Sequence, residues 1–304
     1  MMNQNSELIR RIQLKELEIL KVFQEICKRH NLRYFAIGGT CLGAVRHKGF
    51  IPWDDDVDVA MPYEDYEKFL EVADSELPEG YETFTPFNQK GDLHEYLSKI
   101  HNINTALIEA PCLKDKSAYR YWGIYIDIFM VHGMPTSKKE FRRLSRAVSF
   151  YGKLSRRLRM PMSDEQSLKG LVKYMLSFLL QHLGLPYDYF TQKSYNLIKN
   201  YPLGCSDKII FPWRKSKRDK NGWYTNIFPY RDFRNTVELP FEDTTITIPA
   251  GYDDYLRIEF GDYMTLPPEE KRNNHMSYGG GGIVDLDRSY KYYAAQKEAG
   301  KLCL

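Results

Sequence analysis

Four aspartates fall within five residues, Asp54, Asp55, Asp56 and Asp58, in the stretch Ile51-Pro52-Trp53-Asp54-Asp55-Asp56-Val57-Asp58-Val59-Ala60-Met61. Val57, Val59 and Met61 alternate with polar or small neighbours, the period of a half-buried strand, so Asp54, Asp56 and Asp58 are expected on one face and Asp55 turned from it. Aspartate is a poor strand residue and adjacent like charges repel, so such a strand calls for a compensating cation. Magnesium or manganese, which take oxygen ligands, are the natural candidates. A solvated acidic turn is the plainer alternative. A calcium EF-hand is excluded by counting from Asp54: the sixth position is Val59 instead of Gly, and the twelfth is Asp65 instead of Glu.

Upstream, Leu8, Ile12, Leu17, Leu20, Phe23, Ile26 and Cys27 recur at helical spacing, which predicts a long amphipathic helix from about Ser6 to His30. The run Tyr34-Phe35-Ala36-Ile37 predicts a strand that breaks at Gly38-Gly39. Thr40 is then expected as the N-cap of a short helix through His47, ended by Gly49. A Gly-Gly-Thr turn between strand and helix exposes backbone amides where an anion is favoured by hydrogen bonds and by the helix dipole. Alone the signal is weak, and it matches neither standard glycine-rich phosphate loop. It gains weight from Asp56 and Asp58 and from Asp127, which lies inside the apolar run Trp122 to Met130. An aspartate there is costly without a partner. A metal would supply one, and so would a hydrogen bond to a buried amide. Three carboxylates from neighbouring strands could hold two divalent ions about 3.5–4 Å apart and neutralise a transferring phosphoryl group. Asp127 could also take the proton of an attacking hydroxyl.

Further elements are expected as a helix from Tyr63 to Ser75, strands near Glu95 to Ile100 and Thr105 to Ala110, and a hairpin from Thr236 to Pro249. A helix from Tyr252 to Glu259 and a loop at Gly279 to Gly282 follow. Between Lys138 and Arg159, nine Lys or Arg face the single acid Glu140, and a helical pattern continues to about Asn200. That local excess contrasts with a net charge of only +3 over 304 residues, so any charge-driven partner would meet this segment. Anionic lipid, an anionic polymer and nucleic acid are all compatible with it, as is a merely solvated face. The five cysteines form no C-x-x-C pair and are odd in number, which indicates neither a disulfide framework nor zinc. With no apolar leader near Glu7 and no long uninterrupted apolar span, a cytoplasmic protein is expected, with peripheral contact at the inner membrane face left open.

The run from Gly38 to Asp58, with Gly38-Gly39-Thr40, Arg46-His47, Pro52-Trp53 and the aspartates in place, resembles the signature of the LicD family. These are bacterial phosphotransferases related to fukutin and built on the nucleotidyltransferase fold. The resemblance continues at Ile126-Asp127-Ile128-Phe129, Pro240-Phe241-Glu242, Tyr255-Leu256 and Gly261-Asp262-Tyr263-Met264 to Pro267-Pro268, ending near His275. It covers residues 1–135 strongly and 240–275 more loosely, and leaves the basic helices uncovered. It implies an α+β fold with a nucleotidyltransferase-like mixed sheet core (residues 1–135), a basic helical insertion (136–205) and a loop-rich C-terminal region closing the site (206–304).

It further implies metal-dependent transfer of a substituted phosphate, typically phosphocholine from CDP-choline, with CMP leaving. The acceptor would be a hydroxyl of a teichoic acid, lipopolysaccharide or capsule precursor, glycan or lipid-linked glycan. On that reading Asp56, Asp58 and Asp127 carry Mg2+ or Mn2+ and the chemistry, with Asp54 in support. Gly38, Gly39 and Thr40 hold donor phosphate, and Arg46 and His47 grip the diphosphate, guanidinium being suited to bidentate contact. Lys99 could reach a phosphate or snorkel to the surface. Phe260 stands where the family commonly has Tyr, a change not expected to disturb the chemistry. Two other activities compete with this one: transfer of a nucleoside monophosphate from a triphosphate, which would release pyrophosphate, and a catalytically silent nucleotide-binding scaffold. Nucleic acid is not an expected partner.

Overall fold

The computed structural model describes residues 4–88, 96–108, 122–159, 168–212, 226–272 and 282–299. Most of the glycine run 279–282 and His275 lie outside them. The amphipathic N-terminal segment forms helix α1 (Gln4–Arg29), whose Ile12, Leu17, Leu20, Phe23, Ile26 and Cys27 are buried as its periodicity requires. Phe23 meets Tyr34 and Phe69 edge-on at 5.1 and 5.4 Å between centroids. The same buried stripe carries two polar residues, Gln13 and Glu16.

A mixed sheet lies beneath α1. Strands β1 (Phe35–Ala36), β2 (Asp58–Pro62), β3 (Tyr81–Phe84), β4 (Leu97–Asn102) and β6 (Tyr125–Gly133) take the order β1-β2-β6-β4-β3. β2 and β6 are parallel, and the other neighbours are antiparallel. The far end of β6 also pairs with β7 (Lys208–Ile210), and β7 with β8 (Ile227–Pro229), so the C-terminal third completes the same sheet. Helices α2 (Gly38–His47) and α3 (Tyr63–Glu76) flank it. Strand β5 (Ala106–Ile108) leaves this sheet and pairs with β11 (Ile283–Asp285).

The basic segment folds into α4 (Lys138–Arg159), followed by α5 (Leu168–His182) and α6 (Tyr189–Ile198). Leu158, Leu180 and Phe190 make a small core of their own, while Tyr195 and Ile198 reach the main one. After a short α7 (Tyr230–Phe233), the hairpin β9 (Thr236–Phe241) and β10 (Thr244–Pro249) forms where expected, followed by α8 (Tyr252–Phe260) and α9 (Tyr290–Glu298). Phe241, Ile246, Ile248, Tyr255 and Leu256 are buried in the core shared with α1 and β2. The whole is α+β, as expected.

Two local expectations need correction. Helix α2 begins at Gly38, with Ile37 at the cap, so Thr40 lies inside the helix and is not its N-cap. The left-handed residue that ends it is Lys48 (φ 57°), one place before Gly49. Strand β2 begins only at Asp58: Asp54 and Asp56 belong to the turn before it, where Asp54 N–H closes back on Ile51 carbonyl at 2.9 Å.

Candidate active site

Where the sheet meets α2, a cleft of about 460 Å3 opens. One wall is Gly38, Gly39, Arg46, Asp54, Asp56 and Asp58, and the other is Glu259, Phe260, Asp262, Tyr263 and Thr265, with Trp53 also lining it. Close approach dictates Gly39, and backbone conformation favours glycine at Gly38. A β-carbon on Gly39 would overlap Asp54 Oδ2, and one on Gly38, already at φ +54°, would meet Asp58 Oδ2 at 3.4 Å. The positive N-terminus of α2 therefore abuts these carboxylates and eases their mutual repulsion.

The expected phosphate ligands divide. Gly38 N–H donates to the hydroxyl of buried Tyr255 at 2.8 Å, and Thr40 Oγ1 accepts Asp58 N–H at 2.8 Å, pinning the start of β2. Gly38 and Gly39 line the cleft, whereas Thr40 does not. Arg46 lines it too, anchored by Nη1 donating to Tyr263 carbonyl at 2.5 Å. His47 is not in the lining, and burial together with the Arg46 charge lowers its pKa from the usual 6.5, favouring neutral imidazole near pH 7.

Asp127 is the Cα partner of Asp58 across the parallel β2–β6 pair and of Lys99 across the antiparallel β4–β6 pair. The three side chains thus run in a row over the sheet. Lys99 is neither at the surface nor in the cleft lining: it is buried, its ammonium ion-pairs with Asp127, and it sits 3.5 Å from the centroid of Tyr125. Asp127 itself lies one strand behind the cleft lining.

The carboxylates are oxygen donors of the kind magnesium and manganese take, and the bare Gly39 leaves room for that of Asp54. Among the described residues, however, no three His, Cys, Asp or Glu side chains are gathered tightly enough to enclose an ion. The donor set suits a divalent metal in kind, and the Asp127 carboxylate is ion-paired with Lys99.

Two supports went unrecognised in the sequence. Gln13 Nε2 donates to Ile51 carbonyl (3.1 Å) and Asp54 carbonyl (2.8 Å), which hangs the aspartate turn from α1. Arg10 orients that amide through Gln13 Oε1 and grips Glu242 with two bonds of 3.0 and 2.6 Å; Glu242 in turn accepts Phe50 N–H at 3.1 Å. The second is Glu16. It is buried, its Oε2 has no hydrogen-bond partner among the described residues, and burial plus the charges of Asp56, Asp55, Asp54 and Asp127 push its pKa well above the usual carboxylate value. Asp55 turns inward and is buried. The signal for Gln13 and Glu16 was present: they continue the three- and four-residue spacing of Ile9, Ile12, Leu17 and Leu20 with polar side chains.

Comparison with known proteins agrees with this architecture. Residues 31–132 match the LicD/FKTN/FKRP nucleotidyltransferase domain model. The chain is 30% identical over 272 residues to the lipopolysaccharide cholinephosphotransferase LicD of Haemophilus influenzae, an alignment covering 88% of this chain and 95% of the relative. Shorter matches reach uncharacterised proteins of Rickettsia typhi (34% over 79 residues, 24% of this chain and 26% of the relative) and Rickettsia prowazekii (44% over 48 residues, 16% and 18%). A relative of that similarity along nearly its whole length, together with the domain match over β1 to β6, places this chain in the LicD family.

Proposed function

We propose that the protein transfers phosphocholine from CDP-choline to a hydroxyl of a cell-surface glycan precursor. The observation that carries this reading is the meeting of the Gly38-Gly39 turn with Asp54, Asp56 and Asp58 in one cleft, with Asp127 in register beside Asp58. The named activity of the Haemophilus relative supports the choice of phosphocholine.

Arg46 lies where it can neutralise the donor diphosphate, and the Gly39 amide, among the first of α2 and without an intrahelical acceptor, adds a hydrogen bond. Asp56, Asp58 and Asp127 would hold Mg2+ or Mn2+, which supplies charge neutralisation at the transferring phosphate. The acceptor hydroxyl forms a new P–O bond as the bond to CMP breaks, and Asp127 takes its proton. Phe260, with Glu259 and Asp262, offers apolar and negative surface on the far wall to the trimethylammonium group.

Purified protein incubated with CDP-choline, magnesium and choline-free lipopolysaccharide is expected to release CMP and label the glycan, and EDTA is expected to stop it. Pyrophosphate from CTP in place of CMP would identify a nucleotidyltransferase instead. Neither product would leave the scaffold reading.

A further inference from the structure

Helices α4 and α5 contribute no residue to the cleft lining. Helix α5 turns Ser177 and Leu180 inward, Leu180 against Leu158 and Phe190. At about 100° per residue the opposite arc carries Leu171, Val172, Met175, Phe178 and Leu179, all exposed, with Val172 68% and Met175 59% accessible. So many large apolar side chains contiguous on one helix mark a surface meant to be covered. Helix α4, against which α5 packs through Gln181 and the Leu158 cluster, is built the same way with a different outer face. Phe141, Leu144 and Leu158 are buried, while Arg142, Arg146, Phe150 and Lys153 are exposed at three- and four-residue steps.

We propose that α4 and α5 together form a docking surface for an anionic lipid bilayer. The apolar arc of α5 lies in the plane of the headgroup–acyl boundary, and the basic face of α4 meets lipid phosphate. Charge complementarity selects this occupant. An apolar stripe alone would suit many partners, but a two-fold contact with a second copy would bring the same arginines towards one another, which like charge opposes. Helix α5 spans 15 residues, and no helix among the described residues is long and apolar enough to cross a membrane, so the helix lies on the bilayer. Phe178 and His182, stacked at 4.0 Å within the arc, give it the aromatic body and polar tip that suit an interface. A surface-bound enzyme would meet a lipid-linked acceptor in two dimensions, but the docking surface stands whether or not phosphocholine is the group transferred.

Vesicle flotation tests it. The full chain is expected to float with phosphatidylcholine vesicles containing phosphatidylglycerol, and much less with phosphatidylcholine alone. The double variants Met175→Glu/Leu179→Glu and Arg142→Glu/Arg146→Glu are each expected to lower partitioning about tenfold or more. Circular dichroism and thermal unfolding establish that each variant is folded; the arginine pair lies on an exposed face and serves if the apolar pair does not fold. A chain that stays in the soluble fraction with the anionic vesicles overturns the proposal. So does a folded arginine variant that floats like the parent, or a dimer by light scattering that Met175→Glu/Leu179→Glu converts to monomer.

Discussion

Replacing Gln13 with Leu separates support of the aspartate turn from the packing of α1. Leucine keeps roughly the volume and the apolar contacts of the buried position but cannot donate, so the carbonyls of Ile51 and Asp54 lose their amide partner. Each buried carbonyl left without a donor costs about 1–3 kcal/mol. The Ile51 carbonyl keeps Asp54 N–H and loses a bond worth about 0.5–1.5 kcal/mol, and the Asp54 bond is only part-buried, so water recovers some of its cost; about 1–3 kcal/mol in total is expected. At about 2.1 cal/mol/K per residue, 304 residues give an unfolding entropy of about 0.6 kcal/mol/K, so Tm should fall by about 2–5 °C. A functional loss should accompany it. Asp54 and Asp56 lie outside the sheet and depend on this tether, so binding of CDP-choline with magnesium should weaken about tenfold, roughly 1.4 kcal/mol, while the fold persists below Tm. Differential scanning fluorimetry and calorimetric titration on one preparation measure both. An unchanged Tm would show that the carbonyls find other donors. A lowered Tm with unaltered donor binding would show that the turn holds its shape unaided, and the account of Gln13 as a positioning residue would fall.

Asp127→Asn is expected to abolish CMP release, by at least about a thousandfold if the carboxylate both binds metal and takes the proton, while the variant stays folded because the amide can still accept from Lys99. Activity within tenfold of the parent refutes the assignment. Glu16→Gln should alter the pH dependence of stability. The folded-state pKa of Glu16 is raised, so the folded chain holds that proton more tightly than the unfolded one. Its contribution is therefore fully present below the unfolded value of about 4.5 and is lost as pH rises towards the folded value. The variant should gain on the parent progressively above that pH in denaturant titrations, and parallel curves would refute the reasoning. Asp262→Asn is expected to weaken CDP-choline binding roughly three- to tenfold while leaving CDP-glycerol binding unchanged. Equal losses for the two donors would remove Asp262 from contact with the choline cation.

How far each element was legible depended on whether its signal was local. Helix α1, the hairpin β9–β10 and helix α8 follow from periodicity and turn residues, and their ends fall within a few positions of expectation. The aspartate strand was placed too early because alternation marks which residues face the same way without marking where pairing starts. Val57, Val59 and Met61 are indeed buried, but Pro52 and Trp53 hold the preceding residues in a turn. Thr40 was misjudged for a related reason: a threonine after two glycines reads as a cap, yet its hydroxyl is taken by Asp58 N–H, a partner only tertiary structure supplies. Asp127 was legible because a carboxylate in an apolar strand demands a partner; Lys99 as that partner was not, since cross-strand register is invisible along the chain. The far wall, Glu259 to Tyr263, carries no period linking it to residues some two hundred positions earlier.

The hydrogen bond from Gly38 to Tyr255 has a consequence for how such a chain matures. The domain match ends at residue 132, yet the turn that opens α2 is fastened by a side chain made long after that point. While the protein is being synthesised, Asp58 can pair into β2 behind the aspartate turn and the site still lack both the clasp on Gly38 and the opposite wall. A nascent or truncated chain would therefore carry the signature without a finished pocket, and competence for transfer would arrive only when the last fifth of the polypeptide folds back onto the first.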